Sequence, residues 1–158
     1  MACTGVRPPY TAYRGQTPVH GVSRSDLAPI MRSHTGMSDD ARQSLGKLGE
    51  DLACAELARR GYAILARRYR TRFGEIDIVA RDGDVTVFVE VKARAGNEFG
   101  GAAAAVTAWK QRRITQMAVD YLARHGLHDR PCRFDVVAID LSGESVRVEV
   151  YAHAFDAA

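Results

Sequence analysis

The stretch "GEIDIVARDGDVTVFVEVKAR", residues 74–94, has the clearest strand pattern in this 158-residue chain. Its alternating pattern predicts two strands joined by a tight turn at "RDGDV", residues 81–85. On the second strand, alternate residues form a valine face (Val85, Val87, Val89, Val91) and an opposite mixed face (Thr86, Phe88, Glu90, Lys92). On the first strand, the same rule sets Glu75, Asp77 and Val79 opposite Ile76, Ile78 and Ala80. The pattern therefore predicts a hairpin with one face in the core and an opposite face that carries acids and a lysine.

Two hairpin registers fit this turn. If Gly83 and Asp84 form the loop, Asp77 lies directly opposite Glu90. If Asp82 and Gly83 form it, Glu75 lies opposite Glu90 and Asp77 is a diagonal neighbour. Opposed Cβ atoms lie roughly 4.5–5.5 Å apart, so either register brings two carboxylates close enough to repel. A divalent cation offsets that repulsion, and carboxylate oxygens suit Mg²⁺.

Two acids and a lysine on one face suit phosphodiester hydrolysis without a covalent intermediate. Asp77 and Glu90 would hold Mg²⁺, which polarises a phosphate oxygen and activates water. Lys92 would position or deprotonate the water, or neutralise charge on the phosphate. Glu50, on a preceding helix beside Gly46 and Ala53, would join the site if that helix packs over the hairpin. The alternative is a solvated polar face on a one-sided sheet.

The rest of the chain predicts one α/β domain with a mixed central sheet flanked by helices, in the order α-β-β-β-α-β-β. The first helix runs from about 40 to 60 with a stripe of Leu45, Leu48, Leu52 and Ala55. The second runs from about 103 to 124, with a core face of Ile114, Met117, Ala118, Tyr121 and Leu122. A last strand alternates through Val146, Val148, Val150 and Ala152. Residues 1–38 are predicted to be a poorly ordered N-terminal tail, and residues 39–158 the α/β domain.

Composition limits where this protein is expected to be found and how its cysteines are used. The chain is 46% hydrophobic and 26% charged, with no apolar run that could span a membrane and no signal-peptide pattern. We therefore expect a cytoplasmic protein with no membrane partner. The three cysteines match neither a zinc motif nor a disulfide framework and are expected to be reduced thiols.

The basic residues are clustered. Between Leu57 and Phe73 the chain has six arginines and no acid (Arg59, Arg60, Arg67, Arg68, Arg70, Arg72). Lys110, Arg112 and Arg113 form a second cluster. Such clusters are typical of a phosphate-binding face, although a solvated surface explains the charge pattern equally well. Arg70, Arg72 and Arg112 are candidate nucleic-acid contacts on this ground.

Several stretches together resemble a known family. They are "GKLGEDLA", "GYAILARRYR", "GEIDIVARDG", "VFVEVKAR", "RFDVVAID" and the closing "AF", within about residues 46–155. On these residues the chain resembles the UPF0102 (YraN-type) family. That family is considered part of the restriction-endonuclease-like PD-(D/E)xK superfamily, near the archaeal Holliday junction resolvases. One departure is "GGAAAAV", residues 100–106, where related sequences usually carry a proline and a glutamate.

The resemblance implies a set of roles. Glu50 matches the helix-borne acid, Asp77 the metal aspartate, and Glu90 with Lys92 the (D/E)xK pair, while Lys110 and Arg113 match basic residues that contact phosphate. It implies a restriction-endonuclease-like core and a nuclease dependent on Mg²⁺ or Mn²⁺, acting on DNA and in particular branched DNA. A homodimer would let two sites cut symmetrically. The alternative is a non-catalytic nucleic-acid-binding module of the same fold. Asp135, in "RFDVV", is interpreted as a buried structural acid.

Overall fold

The computed structural model describes residues 17–23, 39–94, 106–141 and 145–157. It contains β1 (Thr17–Ser23), α1 (Asp39–Arg59), β2 (Ala63–Thr71), β3 (Gly74–Asp82), β4 (Val85–Arg94), α2 (Ala108–Arg124), β5 (Cys132–Asp140) and β6 (Ser145–Phe155). No helix in these ranges is long and apolar enough to cross a membrane. The alanine-rich departure at 100–106 lies, except for Val106, outside the described residues.

The six strands form one mixed sheet in the order β1-β6-β5-β4-β3-β2. Strands β4 and β5 are parallel, with α2 between them in the chain, and the other neighbours are antiparallel. From residue 39 onward the predicted order α-β-β-β-α-β-β is confirmed. The sheet has α1 packed on one face and α2 on the other, consistent with a restriction-endonuclease-like core.

The strand β1 lies inside the segment that the sequence predicts to be a tail. Residues 17–23 pair antiparallel with β6, in a register that joins Thr17 to Val148 and Ser23 to Ser145. This segment therefore differs from the predicted tail in having regular structure. Edge pairing is set by backbone hydrogen bonds, which a sequence without a clear apolar period does not reveal.

Each helix covers its own core. The α2 core consists of the five predicted residues, all of which are buried against the sheet. This helix begins at Ala108 rather than near 103, with Thr107 as its N-cap accepting a hydrogen bond from the Lys110 amide at 3.3 Å. On α1 the predicted stripe is wrong at Ala55, which is exposed. Ala53 and Leu57 are buried instead, so the face of α1 that packs on the sheet is rotated relative to the predicted stripe.

The last strand also departs from strict alternation. Val146, Val148 and Val150 are buried as predicted, but Ala152 is exposed. His153 has a φ of 53°, and its N–H donates to an Asp135 carboxylate oxygen at 3.1 Å. This left-handed residue shifts the register of β6 on β5 and rotates Ala152 off the core face.

Gly49 sets the closest approach of α1 to the sheet. A Cβ added there would lie 2.8 Å from the Cβ of Ala93 on β4, whereas one added at Gly46 would meet nothing within 4 Å. Such overpacking typically costs about 1–3 kcal/mol, which outweighs the helix propensity that alanine gains.

We therefore expect Gly49→Ala to lower the free energy of unfolding by about 1–3 kcal/mol in urea denaturation. The matched control Gly46→Ala, three residues earlier on the same helix, is expected to be neutral or to stabilise by up to about 1 kcal/mol. Equal effects of the two substitutions would contradict the close approach of α1 to β4.

Candidate active site

The hairpin adopts the first of the two registers considered. Asp82 pairs with Val85 and Ile78 with Val89, so Gly83 and Asp84 form the loop. Beyond Ile78, the carboxylate of Asp77 accepts a hydrogen bond from the backbone N–H of Val91 at 2.7 Å. The Asp77 side chain thus accepts a hydrogen bond from an amide that β4 would otherwise donate to a neighbouring strand. Asp77 is thereby fixed at the point where the described β3–β4 pairing ends.

The faces of β3 differ from the predicted alternation at this point. Ile76 packs with Val79 in the core under α2, whereas Ile78 packs with Ala80 in the core under α1. Strict alternation would have set Ile76 and Ile78 on one face. The strand therefore rotates around Asp77. A single hydrophobic run gives no sign of such a rotation, because every residue in it except Asp77 is apolar.

A cavity of about 320 Å³ opens where β3 and β4 part. Its lining comes from α1 and from the hairpin (Leu45, Gly46, Glu50, Asp77, Glu90, Val91, Lys92, Ala93). All four residues expected to form the catalytic set therefore line one cavity. Leu45, Gly46 and the Val91 amide were not among the expected site residues. The sequence named Leu45 only as part of the α1 stripe and Gly46 only as a neighbour of Glu50, and no pattern indicated the Val91 amide.

Glu90 is nearly fully buried and has two lysine partners. Its Oε1 lies 2.8 Å from Nζ of Lys92 and 3.1 Å from Nζ of Lys110 on α2. The Glu90 side chain is 5% exposed, against 29% for Lys92 and 36% for Lys110. Lys110, expected at a phosphate on the surface of α2, thus reaches a site carboxylate. The two ammonium groups supply the charge compensation that a buried carboxylate requires.

The carboxyl group of Asp77 has a raised pKa. Burial and the nearby Glu90 carboxylate raise the pKa of Asp77 to about 6, opposed by the Val91 hydrogen bond and by Lys110. The raised pKa shows that the protein alone under-stabilises the ionised form of Asp77. A cation placed between the two carboxylates would reverse this effect.

Glu50 is held to β2 by an arginine. The Nε of Arg68 donates to both Glu50 carboxylate oxygens, at 2.8 and 3.0 Å. The preceding Arg67 contacts Asp51 on the same helix at 2.5 Å. Consecutive strand residues normally point to opposite faces, but Arg68 has a φ of 49°. This left-handed conformation lets both guanidinium groups reach α1.

The strain at Arg68 can be measured with two substitutions that both remove the guanidinium. Non-glycine residues in the left-handed region cost roughly 1–2 kcal/mol, and glycine avoids that cost. We expect Arg68→Gly to unfold at a higher urea concentration than Arg68→Ala, with a difference of about 1 kcal/mol in the free energy of unfolding. An alanine variant as stable as the glycine variant would contradict the left-handed backbone at this position.

The first arginine cluster is largely paired with acids from other parts of the chain. Arg59 and Arg60 contact Glu56, Arg67 and Arg68 contact Asp51 and Glu50, and Arg70 contacts Glu75. The sequence window without acids therefore does not correspond to an unpaired basic surface. Arg70 is the most open of this set, with a side chain 81% exposed.

The remaining basic candidates lie around the start of α2. The guanidinium of Arg113 donates to the Phe73 carbonyl from Nε at 2.9 Å, and also from a terminal nitrogen. Arg72 stacks over the Phe73 ring with its guanidinium carbon 4.7 Å from the centroid. Arg112 is exposed. Arg113 thus ties α2 to the turn between β2 and β3, in addition to any phosphate contact.

The donor set of the cavity suits one kind of divalent cation. Within the described parts of the chain, no group of three or more His, Cys, Asp or Glu side chains is arranged to hold a metal. Three acids line the cavity, Glu50, Asp77 and Glu90, and Asp77 and Glu90 interact closely enough that the charge of Glu90 raises the pKa of Asp77. Mg²⁺ usually takes one or two protein carboxylates and keeps several waters, so this pair fits Mg²⁺. It does not fit a metal that needs a full protein cage.

Asp135 belongs to a separate buried network. Its carboxylate accepts hydrogen bonds from the Arg133 guanidinium at 3.1–3.2 Å and from the His153 N–H. Arg133 also donates to Asp82 at 2.8 Å and to the Tyr62 hydroxyl at 2.5 Å. Burial and the Asp135 charge raise the pKa of Tyr62 to about 12. These contacts support the structural interpretation of Asp135.

The fold and this cavity are consistent with the restriction-endonuclease-like class of α/β proteins. The chain belongs to the family described as "Uncharacterised protein family UPF0102", whose family model matches residues 49–139. It is 46% identical to a UPF0102 protein of Anaeromyxobacter dehalogenans, over 80% of this chain and 94% of the relative. It is 50% identical to one of Syntrophus aciditrophicus, over 72% and 89%. A third, from Cupriavidus taiwanensis, is 48% identical over 81% and 95%.

Proposed function

We propose that this protein is a Mg²⁺-dependent nuclease that hydrolyses phosphodiester bonds of DNA. The observation that carries the proposal is the shared cavity of Asp77, Glu90, Lys92 and Glu50, in which burial and Glu90 raise the pKa of Asp77 to about 6. Perturbed acids that face each other in a cleft are typical of functional sites. Family membership is compatible with this activity and does not by itself specify a reaction.

Each side chain has a definite task in the proposal. Asp77 and Glu90 would hold Mg²⁺, with Asp77 already oriented by the Val91 amide. The bound ion would polarise a phosphate oxygen and activate water for attack. Lys92 is close enough to Glu90 to remain in the cavity, and 29% exposure leaves its ammonium able to reach a phosphate oxygen. There it would neutralise the charge that develops during hydrolysis.

Glu50 and Lys110 adjust this set from the two helices. Once Arg68 releases one of the Glu50 carboxylate oxygens, Glu50 would accept a hydrogen bond from the attacking water or bind the metal. Lys110 reaches Glu90 from α2 and would move from the carboxylate to a phosphate when the cation binds. Arg68 and Lys110 are each more than one-third exposed, which leaves both side chains room to rotate away from their carboxylate partners.

Cleavage of labelled DNA tests the proposal. Linear duplex, single-stranded and four-way-junction DNA would be incubated with the protein in Mg²⁺, Mn²⁺ or EDTA. We expect metal-dependent cleavage that falls about 10²–10⁴-fold in Asp77→Asn and about 10²–10³-fold in Lys92→Ala. Asp84→Asn makes the same change at the exposed turn of the hairpin and should retain full activity.

The second candidate function is a non-catalytic nucleic-acid-binding module. It is favoured by the two ammonium groups on one oxygen of Glu90, which already compensate the charge that a cation would otherwise neutralise. Binding of DNA without cleavage under all metal conditions would support this alternative and contradict the nuclease. In either case, affinity should fall as salt rises, because phosphate contacts release counterions.

A further inference from the structure

Trp109 is the single tryptophan of the chain, and it is largely exposed at the start of α2. Its side chain is 58% exposed, more than the other large exposed apolar residues in the described ranges, Leu65 and Val119. An indole left in water contributes nothing to the core. Exposed tryptophans beside charged groups are typical of binding surfaces.

The indole is held in place by an arginine. The guanidinium carbon of Arg113 lies 4.9 Å from the Trp109 ring centroid, one helical turn further along α2. Arg113 is itself fixed by its hydrogen bonds to the Phe73 carbonyl, so the ring rests against an anchored group. Arg72 over Phe73 forms a second aromatic–arginine stack beside the first. The surface is therefore organised before any ligand arrives, which lowers the entropy cost of binding.

This surface adjoins the proposed active site. Lys110 follows Trp109 directly, and its ammonium lies 3.1 Å from Glu90 in the cavity. The first turn of α2 has no acidic residue, and the positive end of the helix dipole lies there. A ligand that fits has a flat π-face for the indole and negative charge for the surrounding cations. A nucleotide has both.

We propose that Trp109 is a stacking platform for an unpaired base of a DNA strand whose backbone enters the cavity beside Lys110. Bases inside a continuous duplex have both faces covered by their neighbours. The platform therefore selects single-stranded, flapped or branched DNA over uninterrupted duplex. This inference deepens the proposed function by naming the substrate class, and it rests on that function for the path of the strand.

Because Trp109 is the only tryptophan, its intrinsic fluorescence reports on this surface without a label. The protein would be titrated in EDTA at low salt with oligo(dT), with a blunt duplex, and with the same duplex carrying a single-stranded flap. We expect oligo(dT) and the flap to quench the fluorescence and the blunt duplex to leave it nearly unchanged. Quenching equal for duplex and single strand, or none at all, would overturn the platform.

Substitutions of Trp109 test base stacking through their effect on DNA affinity. Stacking of one base is worth enough that Trp109→Ala should weaken flap and oligo(dT) binding by about 5- to 100-fold, while duplex affinity changes less than about twofold. Trp109→Phe should restore most of the loss. Val119→Ala removes another exposed apolar side chain from α2 and should leave the affinity for all three DNAs unchanged. A uniform loss for all three DNAs would contradict base stacking.

The failure of this inference is distinguishable from failure of the nuclease proposal. Cleavage abolished in Asp77→Asn together with undisturbed quenching supports both. Quenching by unpaired bases without cleavage in any metal retains the platform and contradicts the nuclease. Metal-dependent cleavage that is insensitive to Trp109→Ala on flapped DNA overturns the platform and leaves the nuclease in place.

Discussion

Replacing Asp77 with asparagine is expected to raise the free energy of unfolding of the protein in EDTA at pH 7 by about 1–3 kcal/mol. Burial and the Glu90 charge raise the pKa of Asp77 from 3.8 to about 6, so its ionised form is disfavoured in the fold. A pKa that differs by one between the folded and unfolded protein corresponds to about 1.4 kcal/mol. Asparagine removes the charge and keeps an oxygen that accepts the hydrogen bond from the Val91 N–H.

The increase in the free energy of unfolding of Asp77→Asn over wild type should depend on pH in a defined direction. With a folded pKa above the unfolded one, wild-type protein binds a proton more readily when folded, so its stability rises as pH falls from about 6 towards 3.8. The advantage of Asp77→Asn is therefore full above about pH 6 and disappears below about pH 4. Urea denaturation in EDTA, from about pH 4 to about pH 7.5, measures it. Asp84→Asn should stay within about 0.5 kcal/mol of wild type throughout.

A gain in stability together with a loss of cleavage would mark Asp77 as functional. Side chains retained at a cost to the fold are expected where a protein binds or reacts. If Asp77→Asn destabilised the protein in EDTA at pH 7, or if its effect did not vary with pH, burial and Glu90 would not be what controls the charge of this carboxylate.

The second large effect is expected in the network around Arg133. Asp135→Ala should lower the free energy of unfolding by about 3–5 kcal/mol, because it leaves the buried guanidinium of Arg133 and the His153 N–H without their shared partner. The Arg133 side chain is 11% exposed and Asp135 is fully buried. For a domain of this size, that loss is a large part of the total stability.

Asp82 provides the matched control for Asp135. It contacts the same guanidinium at 2.8 Å but is 43% exposed, so Asp82→Ala should cost no more than about 1 kcal/mol. Urea denaturation of both variants measures the difference. Equal losses in the two variants would show that burial of Asp135 does not set its contribution, against the structural role assigned to it.

The periodic features were largely predictable from the sequence, with departures at Ala55, at Ala152 and around Asp77. The five core residues of α2 are all buried, because an amphipathic helix has a single way to cover a sheet. The valine face of β4 packs under α1 as the alternation requires. The turn residues allowed two registers, and the structure selects the one that brings Asp77 beside Glu90. The local pattern thus limited the hairpin to two registers, and the structure was needed to choose between them.

Features that depend on contacts between distant residues were not predictable. The ion pair of Arg68 with Glu50 joins residues 18 apart and requires a left-handed arginine, a conformation for which an arginine gives no sequence signal. Lys110 was expected at phosphate because it lies in a basic cluster and matches a basic residue of the family, whereas its side chain also reaches Glu90. The strand β1 pairs with β6, which lies at the other end of the chain.

Asp77 and Glu90 are expected to form a binding site for a divalent cation. Isothermal titration calorimetry of Mn²⁺ and Mg²⁺ into the EDTA-treated and desalted protein measures that binding. We expect one saturable site in wild type and in Asp84→Asn, and loss of that site in Asp77→Asn although this variant is at least as stable. Equal cation binding by wild type and Asp77→Asn, or none by either, would contradict this expectation.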